Sequence, residues 1–267
     1  MYIFYFERLK SRLIQGVYME RLQKRIADSG YTSRRKAERL IQEGKVTVND
    51  VLVTDLGVKV SKNDIIKINN QLLPEKPRNI YLALNKPQGY ITSTEDELNR
   101  KTIMDLIPAK YKEFRLYPVG RLDNNTTGII LLTNDGEFKN QIAGPKSGIE
   151  KEYLVRVEGI VKTNEVKILS QGIKYQGEQY LPSIIRIESI DKEHNSTLLT
   201  CIITDGKNHE IKNMFSSINH PVKKLKRVRY GVITIDNLPE KMVRELTIHE
   251  IKLMFNESKK EKNMKGR

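Results

Sequence analysis

Apolar positions at helical spacing begin at residue 22. In "ERLQKRIADSG" Leu22 and Ile26 lie four apart, and Gly30 follows as a residue suited to the left-handed turn that ends a helix. The next stretch, "TSRRKAERLIQEG", puts Ala37, Leu40 and Ile41 on one face, with Thr32 or Ser33 as cap and Gly44 as stop. The period then falls to two. In "KVTVNDVLVT" Val46 and Val48 alternate with other residues, Asn49-Asp50 supplies a two-residue turn, and Val51 and Val53 resume the alternation, so a β-hairpin is predicted. "DLGVKVSKNDIIKIN" adds further short strands. Residues 19–74 therefore read as one small unit, two helices followed by a small sheet.

The segment "PEKPRN" carries two prolines and charge without periodicity, and residues 75–79 read as a linker to a second domain over 80–255. There, "IYLALNKPQGYIT" is a strand interrupted at Pro87 and Gly89, and further strands are predicted around 115–120, 129–133, 152–158, 183–189, 197–203 and 231–235. Helices are predicted near 102–107, 136–142, 163–171, 207–217 and 246–255. Strands and helices intermix without a regular βαβ repeat, which predicts an α+β fold with a mixed, mostly antiparallel sheet flanked by helices. The polar stretch 256–267 is expected to be a disordered basic tail.

Composition narrows the classes of function. The 267 residues give room for one large and one small domain. No apolar run approaches the roughly 18 residues of a membrane helix, so no membrane partner is expected. A net charge of +14 either serves solubility or points to a polyanionic partner, and the second reading is favoured. The single cysteine, Cys201, lies in the apolar run "TLLTCIIT" and reads as a core residue, not a nucleophile. One thiol suits a reducing compartment, and a cytoplasmic location is expected. His209-Glu210 and His249-Glu250 lack the second histidine of a zinc-protease motif, and no phosphate loop or dinucleotide fingerprint is present. Neither metal nor cofactor is expected. The opening "MYIFYFERLKSRLIQGVY" has no small-residue cleavage site. Residues 1–18 read either as an extension that is not native, with Met19 as the true start, or as an organellar presequence, which would make the location organellar.

Charge runs suggest where a polyanion would lie. Arg34, Arg35 and Lys36 open the second helix and oppose its dipole, a placement that phosphates would compensate, although a solvated face is the simpler use of such a run. Basic residues recur at Lys207 and Lys212 in "TDGKNHEIKNMF". Five more, Lys223, Lys224, Lys226, Arg227 and Arg229, fall within seven positions.

The stretch "GRLDNNTTGIILLTNDG" joins two ionised side chains, Arg121 and Asp123, to the core strand Ile129-Ile130-Leu131-Leu132. Four small polar residues and Gly128 separate them, which is loop chemistry. Asp123 therefore sits at the lip of a rigid strand, either capping its own loop or mounted as a reactive carboxylate. Burial would raise its pKa and neutralise it. A cation at contact would offset that by about 4 kcal/mol at an effective dielectric near 20.

Taken together, "NKPQG", "VGRLDNNTTGIILLTNDGE", "EKEYLVRV", "DGKNHEIKNMF" and "VKKLKRVRYG" resemble, in this order, the motif set of the RsuA/RluB-type pseudouridine synthases. Ahead of them "RLQKRIADSGYTSRRKAERLIQEGKVTVN" and "LGVKV" resemble the S4 RNA-binding module, and the likeness spans about 19–255. The resemblance implies an S4-like domain before a catalytic domain that isomerises a specific uridine of ribosomal RNA to pseudouridine without a cofactor. It implies a monomer whose partner is ribosomal RNA or a ribosomal precursor particle. By position, Asp123 matches the family's catalytic aspartate, Arg121 the arginine that holds the site and the target nucleotide, and Tyr153 the tyrosine that stacks on the base or moves a proton. Lys212 matches the cation paired with the aspartate, and Ile211 gives apolar packing against the base. Arg34, Arg35, Lys36, Lys207, Lys223, Lys224, Lys226, Arg227 and Arg229 would contact the RNA. The C-terminal part looks nearer the RluB branch, which acts on large-subunit RNA, than the RsuA branch, which acts on small-subunit RNA. A non-catalytic RNA-binding assembly factor on the same fold is the remaining reading. Two positions depart from the pattern: Glu210 stands where glutamine is common and Asn213 where a basic residue is common, which bears on the RNA-facing contacts of that helix. Whether the carboxylate attacks C1′ or takes a proton from C2′ stays open.

Overall fold

The computed structural model describes residues 19–144 and 147–264, so the proposed N-terminal extension, 1–18, lies outside the described residues. The chain divides between Arg78 and Asn79 into two compact units. The first runs β1 (Met19–Arg21), α1 (Leu22–Asp28), α2 (Arg34–Gln42), β2 (Val46–Val48), β3 (Val51–Val53), β4 (Lys59–Ser61), β5 (Ile66–Ile68) and β6 (Gln71–Leu72). Leu22, Ile26, Ala37 and Ile41 of the helix pair share one core with Val46, Val48, Ile66 and Ile68 of the antiparallel sheet β3-β2-β5-β6. Of the two candidate caps, Ser33 acts: its Oγ accepts from the Lys36 amide at 3.1 Å. Asn49 and Asp50 turn the predicted hairpin with φ of 50° and 64°, the hand that suits a two-residue turn between twisted strands. Asn69 and Asn70 (φ 49° and 66°) repeat the device between β5 and β6. That second hairpin escapes pattern reading because β6 is only two residues long.

The second unit contains β7 (Tyr81–Lys86), β8 (Tyr117–Val119), β9 (Thr126–Thr133), α3 (Gly136–Ala143), β10 (Lys151–Glu158), α4 (Thr163–Ser170), β11 (Ile173–Tyr175), β12 (Glu178–Tyr180), β13 (Ile184–Asp191), β14 (Ser196–Ile203), α5 (Glu210–Ser216), β15 (Val222–Tyr230), β16 (Ile233–Thr234), β17 (Val243–Glu245) and α6 (Ile248–Met264). Its main sheet has the order β13-β14-β10-β15-β9-β7-β17, with β16 on β15 and β8 on β9. All these pairs are antiparallel except β9–β15, so the expected mixed, mostly antiparallel α+β fold is borne out. Both faces are covered, which explains the unbroken apolar run in β9. Ile130 and Leu132 join a core with Leu169 of α4 and Met214 and Phe215 of α5. Ile129 and Leu131 face the other way, into a core with Phe138 of α3 and Met254 of α6. Among the described residues, no helix is long and apolar enough to cross a membrane.

Two expectations are corrected here. Residues 222–230 form a strand inside the sheet; their crowded basic residues hide its alternation. The polar stretch expected to be disordered from 256 is instead helical through Met264. Its anchor is internal: Phe255 meets Phe138 edge-on with ring centroids 5.2 Å apart, and the buried Ser258 Oγ accepts from Gln141 Nε2 at 2.7 Å. Beyond that anchor, lysine and glutamate are good helix formers.

The parallel pair β9–β15 depends on one residue. Gly128 lies opposite Arg227 with φ of +103°, and a Cβ there would meet the Arg227 carbonyl oxygen at 2.1 Å. A side chain can neither adopt that backbone nor fit the gap. Gly128→Ala is therefore expected to destabilise the full chain by more than about 3 kcal/mol in urea unfolding, and a loss below about 1 kcal/mol would contradict this packing.

Candidate active site

A cavity of about 350 Å³ opens in the second unit, lined by the loop 120–123, the start of β9, β10, α5 and β15. The loop is fixed from behind by Lys86, the lysine of "NKPQG". Its fully buried Nζ faces the carbonyl oxygens of Pro87 (3.1 Å), Asp123 (3.1 Å), Asn124 (3.4 Å) and Thr126 (2.9 Å). Burial pushes Lys86 down to about 8, against the pull of the Asp123 charge. Thr92 completes the clamp: its Oγ1 accepts from the Leu122 amide at 3.1 Å and donates to the Leu122 carbonyl at 2.7 Å.

Held this way, the Asp123 side chain meets α5. Lys212 Nζ pairs with Oδ2 and also donates to Asn125 Oδ1 at 2.9 Å. His209 Nε2 lies 3.5 Å from Oδ1. The Asp123 and Lys212 side chains keep 32% and 25% of their exposure, so water reaches the pair. Asp123 is thus half-buried and not enclosed in a dry pocket, and the attraction is weaker than the 4 kcal/mol figure above. Of Lys212 and Arg121, only Lys212 touches it. Arg121 is exposed at the cavity wall and donates to Asn208 Oδ1 at 3.4 Å. His209 was not among the expected site residues; it approaches through a left-handed backbone (φ 52°) at the cap of α5, which residue type does not announce.

Tyr153 and Ile211, both buried, supply the apolar wall. Tyr153 pairs with Arg227 across β10–β15, and Arg227 with Gly128 across β15–β9, so three strands meet in one row beneath the cavity. A register shift beside Tyr153 sets this row. A second buried lysine, Lys151, repeats the work of Lys86. Its Nζ donates to the carbonyls of Ile149 (3.1 Å), Thr204 (2.8 Å) and Asp205 (2.9 Å), fixing the loop that leads into α5. Burial and the Arg227 charge push it down to about 8.

The residues expected to contact RNA differ in their exposure. Arg34, Arg35 and Lys36 are exposed at the start of α2, and Lys223, Lys224 and Lys226 are exposed on β15. Lys207 is exposed but engaged with Glu178 (3.1 Å) and the Gln179 carbonyl (2.6 Å). Arg227 is buried, and Arg229 pairs with Glu152 (2.8 Å) and Glu150 (3.0 Å), so neither offers a free guanidinium to solvent. The departure at Glu210 is turned away from solvent. Glu210 is buried, its Oε2 accepts from the Lys207 amide at 3.0 Å, and burial with the Asp205 carboxyl beside it holds its own carboxyl well above the usual range. Asn213 turns its amide to the Tyr180 hydroxyl, 2.8 Å away.

A helix-pair unit with an exposed basic helix start thus precedes, along the chain, a sheet domain whose cavity sets one carboxylate against one ammonium. Comparison with known proteins gives the family. Residues 80–217 match the family model described as RNA pseudouridylate synthase, and residues 20–66 match the S4 domain. The chain belongs to the RNA pseudouridylate synthase family and carries an S4 domain ahead of the synthase domain, as the motif resemblance implied. It is 43% identical over 88% of its length to the ribosomal large subunit pseudouridine synthase B of Bacillus subtilis, covering 95% of that protein. The protein of the same description from Yersinia pestis is 37% identical, over 84% of this chain and 70% of that one. A crystal structure of a pseudouridylate synthase superposes with a TM-score of 0.64 at 32% identity, covering 88% of this chain and 99% of that one.

The buried Glu210 makes stability depend on pH. The folded chain holds this proton above the ordinary value of 4.5, so the stabilising contribution is full below that value and is lost as pH rises. Glu210→Gln removes the titration at nearly constant shape. Its melting temperature, relative to the native chain, is expected to rise steadily from about pH 5 to about pH 8, and a constant difference over that range would contradict the assignment.

Proposed function

We propose that the protein isomerises one uridine of large-subunit ribosomal RNA to pseudouridine, as a monomer, with Asp123 as the acting carboxylate and without a cofactor. The observation that carries this reading is the convergence of Asp123, Lys212, Tyr153 and Ile211 on one cavity from a loop, a helix and a central strand. The reaction breaks N1–C1′, turns the uracil, and joins C5 to C1′. Substrate and product are isomers, so no electron, water or group donor is consumed. One carboxylate must act at the sugar, and Lys212 holds it in place by charge and by a hydrogen bond. Tyr153 and Ile211 then flank the extracted base, and Arg121 holds its nucleotide at the cavity wall.

Extraction of a base costs a few kcal/mol. Phosphate contacts from Arg34, Arg35 and Lys36, and from Lys223, Lys224 and Lys226, offset that cost and make binding weaken steeply with salt. Large-subunit RNA is favoured because the Bacillus subtilis and Yersinia pestis relatives carry that description. The site of action is then the compartment where ribosomes assemble, the cytoplasm in a bacterial cell.

Carbodiimide-based primer extension on ribosomal RNA from a deletion strain tests the reading. One pseudouridine of the large-subunit RNA is expected to disappear, and to return with the native gene but not with Asp123→Asn. The Asp123→Asn chain should still bind the RNA within about three-fold, since its phosphate contacts are intact. An unchanged map, or restoration by Asp123→Asn, would overturn the proposal.

A further inference from the structure

Arg227 is a buried cation. Only 2% of it is exposed, and among the described residues no carboxylate oxygen lies within ion-pair distance of it. Its Nε donates to the Ile129 carbonyl at 2.7 Å, its Nη1 to the Tyr153 hydroxyl oxygen at 3.4 Å, and its Nη2 is buried with no partner. The guanidinium lies between two rings, with Cζ 5.9 Å from the Tyr153 centroid and 5.0 Å from that of Tyr230, and it borders the same cavity as Asp123. Burying an unpaired charge costs several kcal/mol, and the neighbouring cation Lys151 adds to the cost. A fold keeps such a group where negative charge arrives later.

Resting on the activity proposed above, the chemistry identifies that charge. When N1–C1′ breaks, the bonding pair stays with N1 and uracil departs as a monoanion, its charge spread from N1 onto O2 and O4. C1′ bonds to a carboxylate oxygen of Asp123, or C2′ loses a proton to it. C5 then bonds to C1′, Asp123 is released in its starting state, C5 loses its proton and N1 gains one. The Asp123–Lys212 pair is occupied at the sugar, so the charge on the base falls to other groups that line the cavity. We propose that Arg227 is the positioning residue that stabilises the detached uracil anion, acting through the Tyr153 hydroxyl. Because Nη1 donates to the Tyr153 oxygen, the hydroxyl hydrogen is left to point at a uracil oxygen. The positive charge behind that hydroxyl strengthens its donation as the oxygen becomes negative.

Single-turnover conversion of the target nucleoside tests this, using the full chain and a large-subunit RNA transcript, with nuclease digests read by chromatography and mass spectrometry. Arg227→Met is expected to slow conversion about 100-fold or more while RNA affinity stays within about three-fold; Arg227→Lys, which keeps the charge, should lose less than about ten-fold. The decisive comparison is a second transcript carrying 5-fluorouridine, whose C5 has no proton to lose. The reaction is read there as loss of the starting nucleoside through N1–C1′ cleavage and C5–C1′ joining, with fluorine kept on C5. Fluorine stabilises the departing anion by itself, so the Arg227→Met defect should shrink at least about ten-fold on it. Equal defects on the two transcripts would mean a merely structural role and overturn the inference. Should Arg227→Met fail to fold, Tyr153→Phe carries the same comparison with the same two outcomes. An inactive native chain would overturn the proposed function and this inference with it, whereas an active native chain with an unaffected Arg227→Met overturns this inference alone.

Discussion

An ammonium on α5 and a carboxylate on the loop before β9, 89 residues apart in sequence, form the contact on which the rest of the synthase domain is organised. Neither residue could be held there by its own segment. The Asp123 loop has little apolar surface, and α5 is seven residues long, too short to be stable without packing. Each is fixed by a buried lysine that gathers carbonyl oxygens, Lys86 under the loop and Lys151 under the approach to α5. Lysine suits this task because its three donors satisfy several carbonyls that strand pairing leaves unpaired. The cost shows in the lowered proton affinity of both ammonium groups.

The sheet supplies the third fixed point. Gly128, Arg227 and Tyr153 stand in register on β9, β15 and β10. The glycine permits β15 to run parallel to β9 at close range, and β15 in turn carries Arg227 to the Tyr153 hydroxyl. The motif containing Asp123 thus encodes two things: a mounted carboxylate, and, five residues on, the gap through which the neighbouring strand enters. A substitution at the glycine would therefore disturb the aromatic wall of the cavity without touching its carboxylate.

Much of this was legible in the sequence for identifiable reasons. Period-two runs and an Asn-Asp turn gave the first hairpin, helical spacing gave α1 and α2, and the unbroken run in β9 marked a strand covered on both faces. The Asp123–Lys212 contact came from motif resemblance, since nothing local joins residues so distant. What stayed hidden depends on tertiary partners. β15 reads as a charge cluster because the exposed Lys223, Lys224 and Lys226 run directly into Arg227, which is buried, and Arg229, which pairs with Glu150 and Glu152. Glu210 reads as a surface helix residue until α5 is docked and its carboxyl meets Asp205. His209 reaches Asp123 through a left-handed backbone that is uncommon outside glycine. The final helix has few apolar residues past 255, and its continuation follows from the anchor that Phe255 and Ser258 make on α3.

If the carboxylate works only while a cation holds it in place, the charge at position 212 matters more than its shape. The most direct test is the single-turnover rate of pseudouridine formation in Lys212→Arg and Lys212→Gln, with RNA affinity measured in parallel. The arginine chain is expected to stay within about ten-fold of the native rate and the glutamine chain to fall at least about 100-fold, both binding RNA almost normally. A glutamine chain as fast as the native protein would contradict the central role of the ion pair.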